Sequence, residues 1–245
     1  AAVTGYAVRI SLIAALGGFL FGFETAVISG AEKTIQQLWH LSSGWQGFTV
    51  ASSLIGTVIG SVIAGAPAQR HGRKKVLTII ALLYLLSAVG CAVTPLWSLF
   101  ILFRFVGGIA VGASSVVGPM YISEVAPARI RGRLAGSFQL MIVAGIFIAY
   151  LTNFLFVGLG EESWRWMLGV MVVPAALFAL LLRSIPESPR WLVLNGRDAE
   201  ARAIFAKTGE PDAANVIRQE HQLEHYGLKE KLFAGNRYRK PIVYA

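Results

Sequence analysis

Residues 10–29 read ISLIAALGGFLFGFETAVIS, twenty residues with a single charge, Glu24. A helix of about 20 residues spans the ~30 Å hydrocarbon core of a bilayer. Stretches of similar length and composition follow at 46–67, 76–94, 97–120, 134–157 and 166–185. Because backbone polar groups in lipid must bond within their own segment, the six stretches are predicted to be transmembrane helices.

The composition supports this assignment. Of the 245 residues, 55% are apolar and only 14% are charged, whereas soluble domains carry about 25% charged residues. A soluble enzyme, a disordered chain and a disulfide scaffold are therefore excluded. The sequence shows no phosphate loop, nucleophile triad or metal-ligand cluster, so it predicts no enzyme, no metal site and no cofactor.

The distribution of charge predicts the orientation. Eighteen of the 22 Lys and Arg residues lie in three segments, 68–75, 121–133 and 183–240. Cytoplasmic segments of membrane proteins are enriched in Lys and Arg. The amino terminus and the three basic segments are therefore predicted to be cytoplasmic. The net charge of +9 then reflects orientation and contact with lipid headgroups, and nucleic acid is not expected as a partner.

The spans and the polar segment give a predicted domain organisation. Residues 1–185 form a six-helix transmembrane bundle, 186–240 form cytoplasmic helices, and 241–245 begin a seventh span. Within the bundle, small residues at four-residue spacing predict close helix contacts. They are Gly18/Gly22, Gly56/Gly60/Ala64 and Gly108/Gly112.

Two charges lie inside the spans of residues 10–120, Glu24 and Arg104. Charges within a bilayer are costly and are usually paired. At 1.5 Å per residue, Glu24 lies ~22 Å and Arg104 ~20 Å from the cytoplasmic side, so the two are predicted to meet. Each is the lone charge on the first helix of its three-helix half, as an inverted 3+3 repeat would produce. The pair is interpreted either as a switchable proton site or as a static lock between two helices.

Five strings then suggest a family. They are GGFLFGFETAVISG at 17–30, GAPAQRHGRK at 65–74, RFVGG at 104–108, PMYISEVAPARIRG at 119–132 and PESPRW at 186–191. In this order and spacing the sequence resembles the sugar porter family of the major facilitator superfamily, and in particular its bacterial proton–sugar symporters. The resemblance implies half of a 12-helix fold, with a missing carboxyl-terminal six-helix half as partner.

The resemblance also implies roles for particular residues. A cytoplasmic gating network would consist of Arg70, Arg73, Glu124, Arg131, Glu187 and Arg190. Gln69 stands where the family usually has Asp, and it lacks that charge. Gln139 would bind sugar hydroxyls, with Phe21 and Ile146 as neighbouring cavity walls. A helix that begins at Leu134 would place Gln139 only ~8–9 Å from the cytoplasmic end, so a midplane site requires an earlier helix start.

The predicted function is monosaccharide transport, of a hexose or a pentose, by alternating access in a bacterial inner membrane. Proton symport is the favoured coupling, with the proton on Glu24 and Arg104 as its partner. The nearest alternative is a facilitative uniporter with a static Glu24–Arg104 pair. A membrane sugar sensor, in which 186–240 recruits a signalling partner, is a further alternative.

Overall fold

The computed structural model describes residues 5–160, 162–210, 213–215 and 217–218. Residues 219–240 and the predicted seventh span at 241–245 lie outside these residues, so the domain organisation there stays a prediction.

All described secondary structure is helical. The helices are α1 (Gly5–Leu38), α2 (Ser43–Ile63), α3 (Gly65–His71), α4 (Arg73–Val93), α5 (Trp97–Val125), α6 (Arg131–Phe156), α7 (Ser163–Gly169), α8 (Val172–Leu181), α9 (Pro189–Leu194) and α10 (Asp198–Thr208). Short 3₁₀ turns at Ala128–Ile130 and Leu182–Ser184 precede α6 and follow α8.

All six predicted spans are confirmed as helical stretches long and apolar enough to cross a membrane. Their ends differ from the apolar stretches because a helix continues past the bilayer wherever its backbone bonds are satisfied. Thus α1 runs from Gly5 to Leu38, and the fifth span begins with a turn at Ala128 instead of at Leu134. The sixth span is broken between α7 and α8, four residues before Pro174, which has no N–H to bond the preceding turn.

The bundle is built from two closely packed helix pairs. Helix α1 lies along α6, and α2 lies along α5. Helices α4, α7 and α8 complete the bundle against α1 and α5. A Cβ on Gly22 would lie 2.0 Å from the Ile142 carbonyl oxygen, and one on Gly112 would lie 1.9 Å from that of Thr57. The predicted close contacts at glycines are therefore confirmed in both pairs.

The two pairs repeat the same register. The matching contacts are Gly18–Phe138 and Gly22–Ile142 between α1 and α6, and Gly108–Ser53 and Gly112–Thr57 between α5 and α2. This recurrence is what the inverted 3+3 repeat predicts. It aligns Gly22 with Gly112, and two residues further on it aligns Glu24 with Ser114.

We call the end of the bundle that carries Arg70–Lys75 and Arg129–Arg133 the basic end. Helices α9 and α10 pack together there around a small core of their own. The core consists of Leu192, Val193, Ala201, Ile204, Phe205 and Ala214. Helix α10 also contacts α1, so the polar segment that follows the sixth span is attached to the bundle.

Candidate functional site

The centre of the bundle holds the two intramembrane charges in direct contact. The Arg104 Nη1 atom donates to the Glu24 carboxylate at 2.5 Å and to the Glu24 carbonyl oxygen at 3.3 Å. Their side chains are only 2% and 4% exposed, respectively. The matching depths estimated from sequence therefore correspond to a real contact between α1 and α5. A buried pair of this kind gains Coulomb energy but loses hydration, so it adds little net stability.

The register of the repeat corrects one part of the sequence interpretation. Glu24 and Arg104 lie on the first helices of their halves, but they are not equivalent positions, because Glu24 aligns with Ser114. The contacts show the same relation: a Cβ on Gly107 would meet the Glu24 carboxylate at 2.8 Å, and one on Gly17 would meet the Ser114 hydroxyl at 2.5 Å. The ion pair is therefore an asymmetric feature of a nearly symmetric core.

Buried hydroxyl groups lie on the two helices that pack beside the pair, α4 and α5. Tyr84 and Ser87 on α4 and Ser114 on α5 are each at most 1% exposed. None of their hydroxyl oxygens has a hydrogen-bond partner among the described residues, and neither does the Arg104 Nε atom. Sequence analysis missed these three residues, because a lone Tyr or Ser in an apolar span gives no sign of which helix it faces.

The residues that the resemblance assigns to sugar lie along the α1–α6 seam. Gln139 is exposed on α6, whereas Ile146 and Phe21 are half-buried. Because Gly22 contacts Ile142, the two helices place all three residues within a few turns of one another. The start of α6 at Arg131 puts Gln139 ~12 Å into the helix, and the turn at Ala128 adds further depth. The earlier helix start that a midplane site requires is thus present.

A second polar site lies at the basic end, around Glu187. Its carboxylate accepts from the backbone N–H groups of Arg73 and Lys74 at 2.8 and 2.9 Å. These are the first residues of α4, where the helix dipole favours an anion. The preceding Gly72 has φ of 95°, and a Cβ there would lie 2.2 Å from the carboxylate. Glycine therefore both forms the turn and admits Glu187.

Glu124 links this site to α5 and α9. One carboxylate oxygen accepts from the Arg73 guanidinium at 2.8 Å, and the other accepts from the Ser188 hydroxyl at 2.5 Å. The Ser188 oxygen in turn accepts from Trp191 N–H and so caps α9. Ser188 was missed in the sequence analysis, although Ser followed by Pro is a typical start of a helix.

The structure thus brings together only part of the predicted gating network. Arg73, Glu124 and Glu187 form it, together with Ser188. The other three predicted members, Arg70, Arg131 and Arg190, are exposed and form no ion pair within the described part of the chain. Gln69, which replaces the usual Asp, is held through its backbone carbonyl by the Trp191 indole N–H at 2.7 Å.

Comparison with known proteins agrees with this architecture. The family described as "Sugar (and other) transporter" matches residues 10–245. The chain is 36% identical over 256 residues to a D-xylose-proton symporter of Escherichia coli, covering 91% of this chain and 52% of that protein. It is 37% identical over 249 residues to an arabinose-proton symporter of Bacillus subtilis, covering 98% and 53%. A glucose transport protein of Synechocystis is 43% identical over 227 residues, with 87% and 48% covered.

Solved structures show the same fold. The E. coli xylose transporter XylE in a partially occluded inward-open conformation aligns with a TM-score of 0.83 at 36% identity, covering 90% of this chain and 60% of that chain. A structure of the same symporter, of the major facilitator superfamily and bound to 6-bromo-6-deoxy-D-glucose, aligns at 0.82, covering 90% and 54%. The chain spans about half the length of the curated relatives it matches, and these relatives are transporters, not enzymes. On the family match and these identities, the chain belongs to the sugar transporter family of the major facilitator superfamily and has the fold of its amino-terminal six-helix half.

Proposed function

We propose that this chain is the amino-terminal half of a monosaccharide transporter that works by alternating access and couples sugar uptake to proton entry. The observation that carries the proposal is the Glu24–Arg104 contact, buried between the first helices of the two three-helix halves. An ionisable pair in this position is costly to keep and marks transport pathways. Relatives named as proton symporters for xylose and arabinose support the same reading.

The proposed coupling follows from the two states of the pair. In contact with Arg104, Glu24 is favoured as a carboxylate, because the cation and the hydrogen bond stabilise the charge. When a conformational change moves the guanidinium away, burial favours the neutral acid, and Glu24 takes up a proton. Return of Arg104 displaces that proton on the other side of the membrane. One proton is thus carried per cycle, with no other group changing its charge.

The sugar is proposed to bind at the α1–α6 seam. The Gln139 amide both donates and accepts hydrogen bonds, as a hydroxyl-rich ligand requires. The rings and branched side chains of Phe21 and Ile146 would cover the apolar C–H faces of a hexose or pentose. The remaining contacts are assigned to a carboxyl-terminal six-helix half.

The network around Glu124 and Glu187 is proposed as a lock on the cytoplasmic side. It joins the start of α4, the end of α5 and the start of α9. Charge-assisted hydrogen bonds of this kind hold one arrangement of helix ends and are lost when the ends separate. The exposed Arg70, Arg131 and Arg190 are proposed to complete the lock against the second half. The membrane is proposed to be a bacterial inner membrane, and the bacterial sources of the relatives support this.

The decisive experiment replaces Glu24 by Gln in the complete transporter, reconstituted in liposomes. The Gln amide oxygen still accepts a hydrogen bond from Arg104, so the helices stay paired. The amide cannot release or take up a proton, so it cannot couple transport to proton movement. Accumulation of sugar against its gradient is expected to be abolished, whereas counterflow exchange of labelled sugar is retained. Glu32→Gln, an exposed change on the same helix, is the matched control and should leave both activities unchanged.

A facilitative uniporter with a static pair is the second candidate. It is favoured by the tight, nearly solvent-free contact between the two charges. A uniporter equilibrates sugar but does not accumulate it, so counterflow without accumulation in the unmodified protein would establish this reading. Unchanged accumulation in Glu24→Gln would reject coupling through Glu24. Absence of counterflow in the unmodified protein would instead reject transport altogether.

A further inference from the structure

The buried hydroxyl groups beside the ion pair have no role in the mechanism as described so far. We call Tyr84, Ser87 and Ser114 the hydroxyl cluster. Buried polar groups in proteins are nearly always hydrogen-bonded, and an unpaired one costs free energy. Three unpaired hydroxyls beside one ion pair, with an unpaired Arg104 Nε atom, therefore indicate an arrangement that serves a different state of the pair.

The geometry places one member of the cluster, Ser87, beside the Glu24 carboxylate. A Cβ on Gly107 would lie 2.4 Å from the Ser87 hydroxyl and 2.8 Å from the Glu24 Oε1 atom, so both oxygens line the same small space. Tyr84 lies one turn before Ser87 on α4, and Ser114 lies two turns beyond Gly107 on α5, which packs against α4. The cluster thus extends from the carboxylate along the interface of α4 with α5.

We propose that Tyr84, Ser87 and Ser114 are positioning residues that stabilise Glu24 in its protonated form, after it has left Arg104. This inference rests on the proposed coupling through Glu24. A protonated carboxyl group both donates and accepts hydrogen bonds, and so does each hydroxyl. In the ion-paired state Arg104 occupies the carboxylate and the hydroxyls make no hydrogen bond. In the separated state Ser87, which lines the same space as the carboxylate, supplies a partner for the neutral acid, and Tyr84 and Ser114 offer further ones along the interface of α4 with α5.

None of the other ionisable groups near the Glu24 carboxylate is placed to stabilise its protonated form. Arg104 from α5 contacts it directly, and Tyr84 and Cys91 are the buried titratable groups within the apolar span of α4. On the other helices that contact α1, the charged groups of the described residues lie at the bundle ends. Arg131 and Arg133 begin α6, and Arg165 of α7 donates to the Ala92 and Thr94 carbonyls.

The test measures proton-driven sugar accumulation against pH for Tyr84→Phe, Ser87→Ala and Ser114→Ala in the complete transporter. Each change removes a hydroxyl with little change of shape. Because the hydroxyls stabilise only the protonated state, the pH of half-maximal accumulation is expected to fall by about half a unit to one unit in Ser87→Ala, as for the loss of one hydrogen bond. A smaller fall is expected in Tyr84→Phe and Ser114→Ala, whose hydroxyls lie further along the interface. Counterflow rates check that each variant is folded and binds sugar.

Ser11→Ala is the matched control. Ser11 is also fully buried and unpaired, but it lies ~20 Å along α1 from Glu24, so its removal should leave the pH profile unchanged. Profiles of Ser87→Ala and Ser114→Ala that coincide with that of Ser11→Ala, or that move to higher pH, would overturn the inference. If Glu24→Gln abolishes accumulation in that case, the proposed coupling stands and only the cluster's role is rejected. Accumulation that persists in Glu24→Gln rejects the coupling itself.

Discussion

Single residues decide what this bundle can bind and what it can couple. Gln139 is exposed on α6 and lies within one turn of the level of Phe21 across the seam. An amide facing a polar ligand contributes hydrogen bonds that water replaces only in part. The position is therefore suited to recognise a hydroxyl-bearing substrate.

Replacement of Gln139 by Ala is expected to raise the half-saturating sugar concentration about tenfold, since two lost hydrogen bonds of modest strength amount to about 1.4 kcal/mol. Uptake kinetics in liposomes measure this change. Gln37→Ala, an exposed change in the last turn of α1 and far from Gln139, should leave the half-saturating sugar concentration unchanged. Equal kinetics for the two variants would remove Gln139 from the proposed sugar site.

At this scale the sequence predicted the ion pair but not its surroundings. Glu24 and Arg104 stand out because each is the only charge in its span, and depth alone brings them together. The hydroxyl cluster gives no comparable signal, because its meaning depends on the rotation of α4 relative to α1 and α5. The rotation depends on how Ser87 of α4 packs against Gly107 of α5. The spacing of residues along a single helix does not reveal such a contact.

At the scale of helices, the small-residue pattern predicts which faces pack closely. A Cβ on Gly56 would lie 2.3 Å from the Phe105 carbonyl oxygen. Because this atom belongs to the backbone of α5, the helices themselves must separate to admit a side chain. The pairing of α1 with α6 and of α2 with α5 could not be predicted from the sequence. Small residues indicate which face of a helix packs closely, but they do not indicate which helix packs against it.

Gly56→Ala is therefore expected to destabilise the bundle by about 1–3 kcal/mol, the usual cost of overpacking. Gly47→Ala on the same helix has open space around its Cβ and should be neutral or slightly stabilising, because Ala favours helix over Gly. Thermal unfolding in detergent compares the two variants. A Gly56→Ala protein as stable as Gly47→Ala would contradict the close packing of α2 on α5.

At the scale of the whole molecule, burial is distributed unevenly. Helix α1 is the most enclosed of the described spans, whereas the second, fifth and sixth spans are the least buried. Their exposed surfaces serve two purposes in the proposed transporter, contact with lipid and contact with a second bundle. The exposed Gln139 on α6, a polar side chain that lipid would not solvate, is the reason to assign its side of the bundle to the second half.

Orientation is a property of the whole molecule that charge alone predicts, and it decides on which side the Glu124–Glu187 network acts. Cys91 is the only cysteine in the sequence and is buried, so its replacement by Ala, together with that of any cysteine in the second half, gives a background for single reporter cysteines. Lys75 is exposed at the basic end and Leu159 at the opposite end. In intact cells, a membrane-impermeant maleimide should label Leu159→Cys, and it should label Lys75→Cys only after permeabilisation. The reverse pattern would place the network outside the cell, where it would lock the inward-facing state instead of the outward-facing one.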